Sequence, residues 1–219
     1  MAQKYRGTAR LSIFARMFRC SLTGIALLVA VVASGQAVHR KQLITSLGAG
    51  AGLITVDNTA DTISTSNTTA SSITFRFAYA LSDRWSLGLH YDRIGTDRAG
   101  GATELLRFTT YLVEGTYRPW IGENAALEVN LAVGPSVMAL RPFSQNLPLR
   151  GYTNAASIGV RYLHRIGSTL GAFVSLDHSA ANGLTVTDYN GDAIKNANGD
   201  PIKLDWNSQR VNAGAVVVF

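Results

Sequence analysis

From about residue 42 to the final residue, apolar and polar side chains alternate with a period of two. Trp85, Leu87, Leu89 and Tyr91 alternate with Ser86, Gly88, His90 and Asp92. Ile73, Phe75, Phe77, Tyr79 and Leu81 alternate with Thr74, Arg76, Ala78 and Ala80, and Leu127, Val129, Leu131 and Val133 with Glu128, Asn130 and Gly134. Ile158, Val160 and Tyr162 oppose Ser157, Gly159 and Arg161. Successive side chains of a strand point to opposite faces, so each segment has one apolar face and one small or polar face. The pattern predicts strands at about residues 42–56, 70–82, 84–95, 104–118, 125–139, 152–166, 169–180 and 207–219. In the fourth, the apolar parity slips between Phe108 and Val113, which points to a bulge there or to a mistaken register for that strand.

The connections alternate in length. Ser82-Asp83-Arg84, Pro119 to Asn124 and Gly167-Ser168 are short; 57–69, 96–103, 140–151 and 181–206 are longer and rich in Ser, Thr, Asn, Gly and Asp. Transmembrane barrels pair short periplasmic turns with long external loops, and eight strands starting from the periplasm put every short turn inside. The predicted fold is therefore all-β, an eight-stranded antiparallel up-and-down transmembrane β-barrel. A soluble sandwich also alternates. Its exterior would be more charged than a chain with only 16% charged and 47% hydrophobic residues allows. The polar face here is mostly Gly, Ala, Ser and Thr, which suits a narrow barrel interior. Tyr79, Trp85, Tyr91 and Tyr162 on the bulky face are expected at the bilayer interface, where an aromatic ring keeps one end apolar and one end wet.

The first 37 residues read as a signal peptide and 38–219 as the barrel domain. The apolar core Ile25–Ala33 follows a basic segment, and Gly35-Gln36-Ala37 supplies small residues for cleavage after Ala37, with Ala33 as the alternative. Met17 as the start would give a leader of ordinary length. The apolar run is too short for an anchor helix. The net charge of +6 owes five cations to this leader, namely Lys4, Arg6, Arg10, Arg16 and Arg19. Without them, near-neutrality removes the basis for a nucleic-acid partner. The single cysteine, Cys20, also lies in the leader, so the remaining chain has no thiol chemistry.

Val211, Ala213, Ala215, Val217 and Phe219 alternate up to a terminal aromatic. With the leader and the eight-strand pattern, this resembles the small eight-stranded outer-membrane β-barrels, the group that includes the membrane domain of outer membrane protein A and outer membrane proteins X and W. The resemblance covers most of the chain after the leader as a pattern of architecture. It implies the outer membrane of a Gram-negative cell, both termini in the periplasm, and the last-strand residues as the signal read by the barrel assembly machinery. Outer-membrane lipids and lipopolysaccharide are the implied surroundings.

Arg76, His90, Asp92, Glu114, Arg118, Glu128, Arg161 and Asp177 fall on the inward parity, and Arg107 joins them if a bulge lies beyond it. Lone charges in a closed lumen are costly, so these are expected to pair in a network that fills the barrel. The competing reading is a polar pathway for ions or small solutes. Asp177-His178-Ser179-Ala180 bears a partial resemblance to the His-x-Ser-Asn segment of the lipid A deacylases, also eight-stranded barrels. The residue two after His178 is Ala180, whereas Ser179 should point to the opposite face, and no Glu lies in the last strand. No catalytic residue is therefore assigned. In the last connection, Asn190-Gly-Asp-Ala-Ile-Lys195 is nearly repeated as Asn198-Gly-Asp-Pro-Ile-Lys203, and Asn-Gly pairs favour tight turns. Residues 185–187 and 202–206 could extend the last two strands. Asp188, Asn190 and Asp192 invite a calcium reading, but the bidentate Glu of a calcium loop is missing, so neither metal nor cofactor is expected. The leading expectation is a structural or surface-interaction barrel with 181–206 offered to an extracellular ligand. Transport of small or hydrophobic solutes and a deacylase-like enzyme are the alternatives.

Overall fold

The computed structural model describes residues 38–58, 65–96, 103–142 and 149–219. The leader and the parts of the first three long connections at 59–64, 97–102 and 143–148 lie outside the described residues. Eight strands, β1 (Leu43–Asn58), β2 (Thr65–Ala80), β3 (Trp85–Thr96), β4 (Thr103–Ile121), β5 (Ala125–Pro142), β6 (Leu149–Arg165), β7 (Leu170–Thr187) and β8 (Lys203–Val218), pair in chain order. β8 returns to β1, so the antiparallel sheet closes into a barrel and no open edge remains. The strand count and order match the alternation. Strands β1, β2, β5, β6, β7 and β8 run two or more residues further toward the long connections than that pattern predicts.

The short turns close with few contacts. The Ser82 amide donates to the Trp85 carbonyl at 3.1 Å and the Trp85 amide to Ser82 Oγ at 3.0 Å. The Gly122 amide donates to the Ala125 carbonyl at 2.7 Å, and the Ile166 and Gly167 amides share the Leu170 carbonyl.

The outward face changes character along the barrel. On the half next to the short turns it is apolar: Leu47, Phe75, Leu89, Val113, Leu131, Ile158, Val174 and Val211 are all exposed. Beyond Ile73, Tyr91, Tyr111, Ile158 and Val211, the same faces carry Ser71, Arg93, Thr109, Asn154 and Gln209. From Val211 to Phe219 the outward residues climb about 20 Å, at about 3.3 Å per residue and a tilt of about 40°.

The interior changes in the opposite sense. At the short-turn end Val38, Ile44, Ala80, Ala126, Leu163, Phe173, Val216 and Val218 form a small apolar cluster. A charged and polar layer follows. Toward the long connections the lumen becomes an apolar core that includes Ile54, Ile94, Leu106, Phe108, Met138, Leu140, Leu184, Val186 and Trp206. Phe108 stacks on Trp206 with ring centroids 4.4 Å apart.

This inversion corrects the reading of strand four. No bulge lies between Phe108 and Val113; the pairing of β4 with β3 runs unbroken through Leu106–Tyr117. Leu106, Phe108 and Leu112 are inward and Tyr111 and Val113 outward, because the apolar side moves from outside to inside along a regular strand. Arg107 therefore faces outward and does not join the lumen charges. The register of β4 with β5 shifts instead between Thr103 and Leu105 and between Tyr117 and Trp120, the latter at Arg118-Pro119, where proline's missing N–H costs no ladder bond. A further bulge, at Asn182-Gly183 of β7, has Gly183 at φ 66° with its amide donating to Asp205 Oδ1 at 2.7 Å.

Candidate functional site

The polar layer of the lumen is the densest concentration of chemistry in the described chain. Its positions follow from parity: every second residue of a barrel strand points inward, and lipid-facing partners alternate with them. Small inward residues leave the room. A Cβ on Gly48 would lie 2.6 Å from Phe173 Cζ, so this glycine lets the Phe173 ring cross to β1; a Cβ on Gly159 would overlap the Asp177 carboxylate.

Two ion clusters are stacked along the axis, with a third pair beyond them. Nearest the short turns, Glu128 of β5 bridges two arginines. Arg118 Nε donates to its Oε1 at 2.8 Å and Arg161 Nε to its Oε2 at 2.5 Å. Arg118 also donates to Ser86 Oγ at 3.0 Å and to the Asp83 carbonyl at 3.3 Å, while Arg161 Nη1 reaches Ser46 Oγ at 3.0 Å. The guanidinium of Arg161 lies 5.5 Å from the Phe173 ring centre, over the apolar cluster below.

In the next layer Arg76 of β2 donates to Asp177 Oδ1 of β7 across the lumen at 2.7 Å and stands 3.5 Å from Glu114 Oε2 of β4. His90 Nδ1 is 3.0 Å from the same Glu114 oxygen, and its Nε2 is 3.0 Å from Thr74 Oγ1. Ser175 donates to Asp177 Oδ2 at 2.7 Å, and Asn212 Nδ2 does so at 3.3 Å. Toward the long connections Arg210 of β8 pairs with Asp92 of β3 and donates to Ser179 Oγ at 2.8 Å.

All eight charges expected in the lumen are buried there, and they meet in these clusters. Arg210 joins them from β8; the alternation there, with Val211 outward, is the signal that places it inward. With Arg210, the buried charged side chains among the described residues are four guanidiniums and four carboxylates, beside His90. The layer is balanced when His90 is neutral. Buried ions cost several kcal/mol each unless paired and hydrogen-bonded. Here every carboxylate has a cationic partner; that of Glu128 comes from the adjacent strands, and those of Asp177 and Asp92 from across the barrel, so the network ties non-adjacent strands β2 and β7, and β3 and β8, through the lumen.

The other singled-out residues separate by position. Tyr79, Trp85 and Tyr162 face outward near the short turns, where Trp85 packs on Tyr117 at 4.7 Å. Tyr91 lies at the other edge of the apolar band against Tyr111, at 5.5 Å. Val211, Ala213, Ala215 and Phe219 are outward and exposed, and Val217 is outward and half-buried. Phe219 exchanges backbone hydrogen bonds with Leu43 at 2.8 and 3.1 Å. His178 points outward and Ser179 inward, where Ser179 donates to Ser157 Oγ at 2.9 Å; no base–nucleophile contact joins them.

The duplicated segment forms two matching turns. Asp188 Oδ1 accepts from the Asn190 and Asp192 amides at 2.8 and 3.0 Å, and Asn196 Oδ1 accepts from the Asn198 and Asp200 amides at 2.9 Å each. Gly191 and Gly199 supply the positive φ. The Ile194 amide donates to the Val186 carbonyl and the Ile194 carbonyl accepts from the Ile202 amide, folding the segment back on the extended β7 and β8. Asp188 thus caps its own turn, and among the described residues no group of three or more His, Cys, Asp or Glu is placed to hold a metal.

No protein-family model matches the chain, and no match is found among curated proteins. Solved structures do resemble it. Neisserial surface protein A superposes with a TM-score of 0.58 at 7% identity, over 80% of this chain and 96% of that one. The outer membrane protein OprG of Pseudomonas aeruginosa gives 0.47 at 12% identity, over 86% and 99%. Ail, the attachment invasion locus protein of Yersinia pestis, gives 0.46 at 10%, over 82% and 99%. At such identities the likeness is one of fold, and that fold is the closed, eight-stranded antiparallel barrel of the small outer-membrane proteins.

Proposed function

We propose that this chain is a closed outer-membrane barrel of a Gram-negative cell, with a structural or surface-interaction role and no open pore. The observation that carries the reading is the inside-out band next to the short turns. There, bulky apolar side chains face outward and balanced ion clusters fill the lumen. Water would expose the first and leave the second without purpose; a bilayer buries the first and requires the second to be internal. The height of the band, about 20 Å, is close to the apolar span of an outer membrane, about 25 Å. Tyr79, Trp85 and Tyr162 mark its periplasmic border and Tyr91 its outer border. Residues 1–37 are the export signal, both termini lie in the periplasm, and the surrounding partners are outer-membrane lipids and lipopolysaccharide.

Reconstituted protein in planar bilayers tests the closed lumen. The expected record is flat, with no reproducible unitary conductance. Steady unitary steps from a heat-modifiable, folded preparation would replace the closed reading with solute or ion transport. The barrel assembly machinery is the proposed partner during biogenesis, reading Val211, Ala213, Ala215, Val217 and Phe219. Deleting Phe219 is expected to reduce folded outer-membrane protein severalfold, measured by heat-modifiable migration of membrane fractions; an unchanged yield sinks the signal. Residues 181–206, raised above the membrane on extended strands, are the proposed contact with an extracellular ligand.

A further inference from the structure

Toward the short turns the lumen is closed by a side chain that does not belong to the wall. In the apolar cluster there, every member but one lies on a strand; the exception is Val38, fully buried and ahead of β1. The strands leave it a place. The cluster takes Ile44, Leu163, Phe173, Val216 and Val218 from β1, β6, β7 and β8, but only alanines, Ala80 and Ala126, from β2 and β5. Beside Ala80, β3 buries Ser86, which holds the buried Arg118 of β4. The segment that carries Val38 is anchored on this side of the ring, where the buried apolar bulk is small. The Lys41 amide donates to the Ala80 carbonyl at 2.8 Å, and the Ala80 amide to the Gln42 carbonyl at 2.9 Å. The Arg40 amide donates to Asp83 Oδ1 in the β2–β3 turn at 2.8 Å, and the His39 amide to Gln42 Oε1 at 2.7 Å. Lys41 has φ 69°, a left-handed conformation that a residue with a side chain keeps only where its surroundings hold it. Three successive bonded amides and one strained residue thus fold 38–42 back against the barrel end.

We propose that residues 38–42 are a strap that seals the periplasmic mouth of the lumen, with Val38 as its stopper and Asp83 as its latch. The inference rests on the closed-barrel reading above and on a leader that ends ahead of Val38. Asp83 works on both sides of the seal. Its carboxylate accepts from the Arg40 amide, and its carbonyl accepts from Arg118 Nη1 at 3.3 Å. Arg118 in turn donates to Glu128, so one turn residue joins the strap to the first ion cluster. Ion pairs behind the seal attract one another more strongly than they would in water, and water admitted at this end would weaken them. His39, Arg40 and Lys41 remain exposed, so the strap is apolar only where it enters the barrel. Its bonds also lie beyond the first ladder pair of β1 and β2, Leu43 with Tyr79. The strap can therefore swing away without breaking a strand pair, and its release opens a route from the periplasm to Glu128.

Beyond the leader the chain has no thiol, so a single introduced cysteine reports on the seal. Ala126→Cys puts it in the cluster that Val38 completes, and Ala181→Cys puts a control in the outer apolar core. The full-length chain is expressed, and the protein purified from outer membranes is placed in nanodiscs, which leave both ends open to a membrane-impermeant maleimide. Its intact mass gives the first residue. With the strap intact, the Ala126→Cys protein is expected to react at least about tenfold more slowly than when unfolded in urea. Adding Val38→Asp, a charge that cannot stay in the apolar cluster, is expected to speed the reaction about tenfold. Asp83→Ala is expected to speed it about threefold. Neither is expected to change the rate at Ala181→Cys. An unchanged rate at Ala126→Cys, or an equal acceleration at both cysteines, overturns the strap and leaves the closed lumen standing. A chain whose first residue lies beyond Lys41 does the same. An Ala126→Cys protein that is folded, keeps its strap and still reacts as fast as unfolded protein overturns the closed lumen as well. If Val38→Asp abolishes heat-modifiable migration, Val38→Ser decides: an acceleration of about threefold is expected, and none refutes the strap.

Discussion

Strand β4 carries two opposite designs in one unbroken run. Near the short turn, Val113 and Tyr111 face out while Glu114 and Arg118 face in. A few residues later, Thr109 and Arg107 face out while Phe108 and Leu106 face in. Strand β8, which is not a neighbour of β4, makes the same switch: Val211 gives way to Gln209 outside, and Arg210 gives way to Trp206 inside. The backbone is the same antiparallel barrel throughout, so pairing does not decide which face is apolar. The surroundings do. Next to lipid, the polar groups must be satisfied internally and the apolar ones face out. Beyond it, the barrel meets water, and the hydrophobic effect fills the lumen with Trp206, Phe108 and Met138. The barrel is held by ion pairs at one level and by apolar packing at the next.

The largest effect expected from separating the two designs is at Glu128. Its carboxylate is fully buried between Arg118 and Arg161. Glu128→Ala leaves two guanidiniums in the lumen without their anion, and removing one partner of a buried pair costs about 3–5 kcal/mol. Urea unfolding in lipid vesicles should register a loss in that range. Glu128→Ala combined with Arg118→Leu and Arg161→Met should recover much of it, since apolar replacement of a whole ion cluster is often neutral. A single substitution costing under about 1 kcal/mol would mean that water reaches this layer, and the closed lumen would be wrong.

Phe108→Ala asks the same question of the other tier. The ring is 1% exposed and stacks on Trp206. Removing a buried Phe costs about 3–5 kcal/mol, through lost transfer energy and the cavity left behind. The lower end, about 3 kcal/mol, is expected here, because Ile194 and Ile202 pack on this core from a loop that can settle inward. The lower tier should not share the damage: Glu128→Ala and Phe108→Ala should add in the double variant within about 0.5 kcal/mol, as distant sites do. Strong coupling would mean that the two tiers are one core.

The sequence makes one tier far easier to read than the other. In the membrane tier, Trp85 to Tyr91 and Val211 to Phe219 alternate against small or charged residues, so strand positions, inward charges and the barrel fold are all legible. The outer tier alternates too, with the opposite sense, and the change of sense imitates a bulge; hence the misreading at Phe108 to Val113. Asn182-Gly183 looks like the start of a loop, yet it is a bulge within a strand that continues to Thr187. Arg118-Pro119 looks like a strand end and is another bulge. What no alternation reveals is pairing across the lumen. That Arg76 meets Asp177, and Arg210 meets Asp92, depends on the closure of β8 on β1 and on the stagger of the strands, which are properties of the ring and not of any one segment.

The smallest effect is the sharpest test of where the tiers meet. Leu131 is outward in the middle of the apolar band and 62% exposed; Gln209 is outward just beyond it. A lysine at the bilayer midplane of a barrel costs about 2–4 kcal/mol, falling to about 0–1 kcal/mol near the interface. Leu131→Lys is therefore expected to destabilise the vesicle-embedded barrel by about 2 kcal/mol or more, and Gln209→Lys by less than 0.5 kcal/mol. In detergent micelles, where water and headgroups approach more closely, the difference between the two should shrink. Equal costs in vesicles would place both residues in the same surroundings and dissolve the boundary between the tiers. A larger cost at Gln209 than at Leu131 would mean that the bilayer embraces the outer tier instead, with the apolar core of Phe108 and Trp206 lying within the membrane and the charged layer outside it.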